Sequence, residues 1–312
     1  MTITKILVVF GATGRQGGSV VDYVLNDPEL SKQFHVRAVT RDPSKPAAQA
    51  LHKKGAEVVK GDVADIESIN QALHGAHTVF IVTNPVYDDQ PRPREFTQGK
   101  TVADAAVAAG LQYVIFSTLP NASKISGGKY QHVDHFDVKY DIEQYIRSLP
   151  IKSAFFSPGA FMKNFETVIA PHPVGDGTYT ISNIVTPETR LPLIETAVDS
   201  GKYVGAILAD PDKYEGRVFP AATGLYSFEE AAQAISKVTG KTVKYNQLPV
   251  NVFHGFLPPV AADNLVEMFL FMQDFEYYGS ETEELVKWST ENARGKLTTL
   301  EEYLTKNPIQ LQ

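Results

Sequence analysis

Short apolar runs set off by polar punctuation dominate the first half of the chain. Residues 6–10 (ILVVF) are continuously apolar, too few for a helix, and stop at Gly11, as a strand buried on both faces does. Val20, Val21 and Val24 then recur at helical spacing within 19–26. The alternation repeats. Further strands are predicted at 34–40, 56–59, 78–82, 113–116 and 152–156, and helices at 47–54, 66–73, 99–109 and 136–147. Strands separated by helices of this length imply parallel βαβ units with right-handed crossovers. The expected fold is α/β, a doubly wound parallel sheet with a second, smaller α/β lobe.

The second half is less regular. Residues 158–190 mix loops, "HP" and "GDG" turns and short strand-like pieces. Asp199 is placed to cap a helix running to Leu208, and 217–221 reads as a strand. Ser227 with Glu230, and Thr298 with Glu301, read as capping boxes that open helices. The Phe-, Leu- and Met-rich stretch 253–275 reads as packed helical core. Residues 1–157 are expected to form the sheet domain, with parts of 190–224 returning to it, and 158–312 the smaller lobe.

Composition narrows the class. Of the 312 residues 43% are hydrophobic and 21% charged, the balance of a globular chain. A net charge of −7 argues against a nucleic-acid surface, which is normally basic. No apolar run approaches the roughly 20 residues needed to span a bilayer, so no membrane is expected. The first residues lack the features of a signal peptide, which points to the cytoplasm. With no cysteine there is no thiolate chemistry, and the eight histidines include no HExxH pair, so no metal is expected.

The chemistry begins at 10–17, FGATGRQG, which follows the first strand and opens the first helix. That is the context a dinucleotide-binding turn requires. Gly11 permits the tight turn, Gly14 lets the backbone approach a pyrophosphate, and Gly17 allows close packing of helix on sheet. The second strand ends in Thr40-Arg41-Asp42-Pro43-Ser44-Lys45. Arg41 stands where a 2′-phosphate would be bound and Lys45 adds a second charge, which favours NADP over NAD. Asp42 would serve an NAD site if the register moved by one residue.

Together, "VVFGATGRQGGSV", "AVTRDPSKPAA", "GAEVVKGD", "VFIVTN" and "HFDVK" resemble the NmrA-like proteins, atypical extended members of the short-chain dehydrogenase superfamily. The pattern is most similar to the NADPH-sensing members. The resemblance implies a Rossmann domain, a C-terminal α/β lobe and NADP(H) between them. It implies that 11–17, including Thr13, Arg15 and Gln16, cradle the pyrophosphate, and that Arg41 and Lys45 take the 2′-phosphate. Asp62, Thr83, Asn84, Lys139, Phe161 and Asn164 complete the implied cofactor site.

The stretch 132–140, HVDHFDVKY, bears on catalysis. Dehydrogenases of this superfamily place a tyrosine four residues before the lysine, as proton donor to the substrate; here His135 stands four before Lys139. His135 and Lys139 are the catalytic candidates, with His135 as general acid against His135 as cap or pocket-lining residue. The resemblance implies a redox-responsive regulator that binds NADP(H) with little turnover. It would change its contacts with a protein partner of open identity, in the cytoplasm with a nuclear share. A homodimer is compatible. The alternative is an NADP-dependent reductase of the isoflavone-reductase or quinone-reductase kind. Glycine and proline crowd 83–93 and 121–128, which are expected to be mobile loops at strand ends.

Overall fold

The computed structural model describes residues 4–85 and 90–311. The first half runs β1 (Lys5–Val9), α1 (Arg15–Asn26), α2 (Leu30–Gln33), β2 (Phe34–Thr40), α3 (Pro46–Lys53), β3 (Glu57–Lys60) and α4 (Ile66–Leu73). It continues through β4 (Thr78–Ile81), α5 (Pro91–Ala108), β5 (Tyr113–Ser117), α6 (Ala122–Ile125), α7 (Asp134–Ser148) and β6 (Lys152–Pro158). The second half supplies β7 (Ala160–Phe161), β8 (His172–Pro173), β9 (Tyr179–Asn183), β10 (Arg190–Ile194), α8 (Thr196–Ala209), β11 (Val218–Ala221) and β12 (Gly224–Ser227). It ends with α9 (Phe228–Thr239), β13 (Val243–Gln247), α10 (Val250–Phe256), α11 (Ala262–Phe275), α12 (Thr282–Asn292) and α13 (Leu300–Lys306).

Seven parallel strands form one sheet in the order β11-β6-β5-β4-β1-β2-β3. The order reverses between β1 and β4, and a crevice outside the carboxyl ends of the strands opens at such a switch. Each sheet face is covered. One carries Leu7, Val9, Phe80 and Phe156 with α1 and α8; the other carries Val8, Phe116 and Phe155 with α4, α5 and α7. A third apolar cluster, with Phe165, Phe228 and Phe271, lies among the later elements, around two three-stranded sheets.

Helices α1 and α8 lie side by side in parallel, Ser19 against Gly201 and Tyr23 against Gly205. The Gly201 N–H donates to Ser19 Oγ at 2.9 Å, and a Cβ on Gly201 would stand 2.3 Å from the Ser19 carbonyl oxygen. Only a glycine lets the backbones approach so closely.

The structure corrects four sequence expectations. Glu195, not Asp199, caps α8, accepting from the Ala197 N–H at 3.2 Å, because β10 runs to Ile194 and the helix starts directly after. Asp199 is fully buried in the first turn and accepts from Thr298 and Lys202 instead. That ties up Thr298, so the last capping box is Thr299 with Glu302, one residue later than expected. The stretch 253–275 does pack as helical core, through Phe253, Val266, Phe271 and Met272, although Pro258 and Pro259 divide it into α10 and α11 and leave Phe256 exposed. Residues 121–128 are not a plain loop, since Asn121 accepts from the Lys124 N–H and opens α6. In the other expected loop, 86–89 lie outside the described residues and 91–93 are not loop, because α5 starts at Pro91, well before the helix expected at 99–109. The Ser227–Glu230 capping box forms as expected.

Gly201→Ala is expected to destabilise the protein by roughly 1–3 kcal/mol despite alanine's better helix propensity, because backbone must yield. Urea unfolding measures it; a loss below about 0.5 kcal/mol would show that α1 and α8 can part freely.

Candidate functional site

Most of the sequence-predicted residues stand in segments that follow strands; His135 and Lys139 lie on α7 and Phe161 in β7. Residues 11–17 join β1 to α1. Gly11 turns the chain with φ of +65°, where a side chain would be strained, and a Cβ there would also meet Val82 at 2.5 Å. A Cβ on Gly17 would lie 2.4 Å from the Gly11 carbonyl oxygen, so this glycine lets α1 start hard against the turn. The α1 cap is Gly14, which offers no side-chain bond, and the first helical turn holds no acid. The N–H groups and positive dipole end of a 12-residue helix are thus open to an anion. Thr13 and Arg15 are exposed beside them, while the Gln16 Oε1 accepts from Ser117 Oγ at 2.6 Å.

Arg41 and Lys45 are exposed after β2, and among the described residues neither side chain makes an ion pair. Asp42 is committed elsewhere: its Oδ1 accepts from the Ser44 N–H at 2.9 Å and the Ser44 hydroxyl at 2.6 Å. These bonds, the hydroxyl's first, hold its carboxyl below the usual range. Asp62, after β3, accepts from the Ala64 N–H at 3.0 Å. Asn84 is exposed after β4, Phe161 packs in β7 against the same core as Val82, and Asn164 is half-buried in a 3₁₀ turn at Met162–Glu166.

Thr83 and Lys139 are brought together. The Lys139 ammonium donates to the Thr83 carbonyl at 3.1 Å, to Thr83 Oγ1 at 3.0 Å and to Glu95 Oε1. Thr83 Oγ1 in turn donates to Glu95 Oε1 at 2.6 Å. Both charged residues are buried, Lys139 at 7% exposure and Glu95 at 3%. Burial lowers the Lys139 pKa and the Glu95 carboxylate opposes that. Removing one partner of such a pair costs about 3–5 kcal/mol. Sequence reasoning missed Glu95. Its signal was spacing: Arg92, Glu95 and Gly99 share one face of α5, and a carboxylate on a face that turns to α7 needs a cation there.

His135 and Lys139 share α7, but the imidazole turns to the later half of the chain, its Nδ1 2.6 Å from Asn264 Oδ1. Burial pushes its pKa down to about 4, with the Asn264 bond raising it and the Lys139 charge lowering it. The ring is neutral at pH 7. With Nδ1 donating to the amide oxygen, Nε2 carries no proton to give. Of the nearby hydroxyls, Tyr130 donates to Asp274 at 2.6 Å, Ser117 to Gln16 and Thr118 to the Lys139 carbonyl at 3.3 Å, while Tyr140 accepts from Lys124 at 3.0 Å and keeps its own proton.

A doubly wound sheet with a glycine turn and an open helix terminus at its switch point is a Rossmann-type fold. The chain belongs to the NmrA-like family, whose model matches residues 3–304. The NmrA-like family domain-containing oxidoreductase FrzB of a Cladobotryum species is 33% identical over 260 residues, covering 78% of this chain and 76% of its own. Among solved structures, NmrA, a negative transcriptional regulator, superposes with a TM-score of 0.81 at 23% identity over 97% of this chain and 95% of its own. It has been solved in complex with NADP and with NAD. Triphenylmethane reductase of Citrobacter sp., complexed with NADP(H), gives 0.75 at 21% identity over 96% of this chain and 99% of its own. No described helix is long and apolar enough to cross a membrane.

The low His135 pKa has a pH signature. Between about pH 6.5 and 4 the unfolded chain binds a proton that the folded protein refuses, so stability falls as pH drops through that window. Allowing for partial exposure, wild type should lose about 1–2 kcal/mol more than His135→Gln between pH 7 and 4.5. Urea midpoints and slopes at both pH values measure it, and parallel losses would rule out this role for His135.

Proposed function

We propose that this chain binds NADP(H) and acts as a redox-responsive regulator, changing its contacts with a protein partner according to occupancy and turning the cofactor over little. The single observation that carries the second half is the state of the proton donors. The residue four before Lys139 is a neutral imidazole bonded to Asn264, and all three Lys139 N–H bonds end on Thr83 and Glu95. A reductase needs a group that holds a proton within reach of the substrate oxygen.

Cofactor binding is supported by the cradle. The uncapped start of α1 suits the pyrophosphate, with Gly11, Thr13, Gly14, Arg15, Gln16 and Gly17 around it. Arg41 and Lys45, without an ion pair among the described residues, suit a 2′-phosphate, and Asp42, held by Ser44, is poorly placed to receive a ribose hydroxyl. Asp62, Thr83, Asn84, Lys139, Phe161 and Asn164 would line the rest. The bound cofactor would supply hydride-transfer capacity. NmrA shares the fold and is a transcriptional regulator with NADP and NAD complexes.

One observation favours the reductase reading: FrzB, at 33% identity, is an oxidoreductase. The readings separate in a steady NADPH-oxidation assay with quinones and enones. Wild type should oxidise NADPH no faster than Lys139→Ala or His135→Phe. Robust oxidation abolished by either substitution would establish a reductase.

Cofactor preference is tested separately. Arg41→Ala should weaken NADPH binding about ten- to a hundredfold, the value of one charge-assisted phosphate contact, and leave NADH binding nearly unchanged. Titration by calorimetry measures both; equal NADPH affinity in the two proteins would remove Arg41 from the site.

A further inference from the structure

Glu95 has no part in the cofactor reading, yet it is among the most buried carboxylates of the protein. Its Oε1 takes two bonds. Thr83 Oγ1 donates to it at 2.6 Å, and Lys139 donates to the same oxygen. One turn earlier on α5, Arg92 reaches Asp134, Asp137 and Asp141 of α7 at 3.6, 3.9 and 3.1 Å. One turn later, a Cβ on Gly99 would meet the Ile142 side chain at 2.7 Å, so the helices are in close contact there too. The contacts on both sides set α5 against α7 and hold Glu95 opposite the Lys139 ammonium.

We propose that Glu95 is a positioning residue for Lys139: it keeps the ammonium charged and fixed behind Thr83, where a ligand hydroxyl gains it only by taking the place of a Thr83 oxygen. This rests on the reading of the cleft as a nicotinamide-dinucleotide site. Glu95→Gln keeps the shape and removes the charge. The burial that already lowers the Lys139 pKa would then act unopposed, and the amine would shed its proton at a pH where wild type keeps it. Of the other charged groups on these helices, His135 feels the Lys139 charge, Arg92 pairs with Asp134, Asp137 and Asp141, and Glu143 pairs with Arg147; Thr83 and Thr118 add only hydroxyls. All of these are common to wild type and variant, so the difference between the two proteins isolates Glu95.

The experiment uses the full chain and two readouts. One is NADPH affinity from pH 6 to pH 9; the other is the rate at which acetic anhydride acylates Lys139 without cofactor, followed by mass spectrometry. Relative to wild type, Glu95→Gln should lose about tenfold or more in affinity across that range and acylate about tenfold faster at pH 8, and Glu95→Asp should recover much of both. Matching pH profiles and matching acylation in wild type and Glu95→Gln overturn the proposal. If neither protein binds NADPH at any pH, the cofactor reading has failed, and acylation alone decides whether Glu95 controls Lys139. Should Glu95→Gln not fold, the comparison moves to a Lys139→Met background. There Glu95→Gln should change NADPH affinity less than about twofold; a larger change means that Glu95 acts by another route and overturns the assignment.

Discussion

An ammonium taken out of water must find acceptors for all three of its N–H bonds, and the architecture around the switch point meets that demand at Lys139. Thr83 supplies two acceptors because β4 ends two residues before it, in the crevice. Glu95 supplies the third because α5 starts after that crevice and runs against α7. The seam between the two helices follows, with Arg92 spanning three aspartates and Gly99 yielding to Ile142. Burying such a pair is expensive and orphaning one member costs more still, so the helices that carry its partners are not free to drift.

The same economy separates the candidate roles on α7. Lys139 faces the sheet and the β4 loop, whereas His135, one turn earlier, faces Asn264 on α11. The segment before α7 makes further polar contacts with α11: the His132 N–H donates to Glu267 at 2.7 Å and Tyr130 to Asp274 at 2.6 Å. His135 therefore belongs to a row that joins α11 to the start of α7. Its neutrality follows from that burial, and so does its poor fitness as an acid.

The parallel sheet was legible because strands buried on both faces carry unbroken apolar runs, as 6–9 of β1, 79–81 of β4 and 113–116 of β5 do. The glycine turn was legible because a close backbone approach leaves one residue type to choose from. Asp199 misled because a cap motif depends on where the preceding strand stops, and β10 continues to Ile194. Thr298 misled for a linked reason: its hydroxyl serves Asp199, a partner 99 residues away that no local pattern reveals. Glu95 was hidden because the prolines at 91 and 93 read as loop and the helix was expected only from 99, so residue 95 was placed on no helix face. Its partner lies 44 residues further on, and only the α5–α7 contact brings them together.

The parallel packing of α1 on α8 sets two helix N-termini at the same edge of the sheet, and they are not equivalent. Glu195 places a carboxylate on the start of α8, while Gly14 leaves the start of α1 bare. The chain thus carries its own built-in anion on one terminus and leaves the other vacant for a guest. The carboxylate at 195 opposes the dipole of α8 while nothing opposes that of α1, so two helix ends side by side differ in the sign of the charge they welcome.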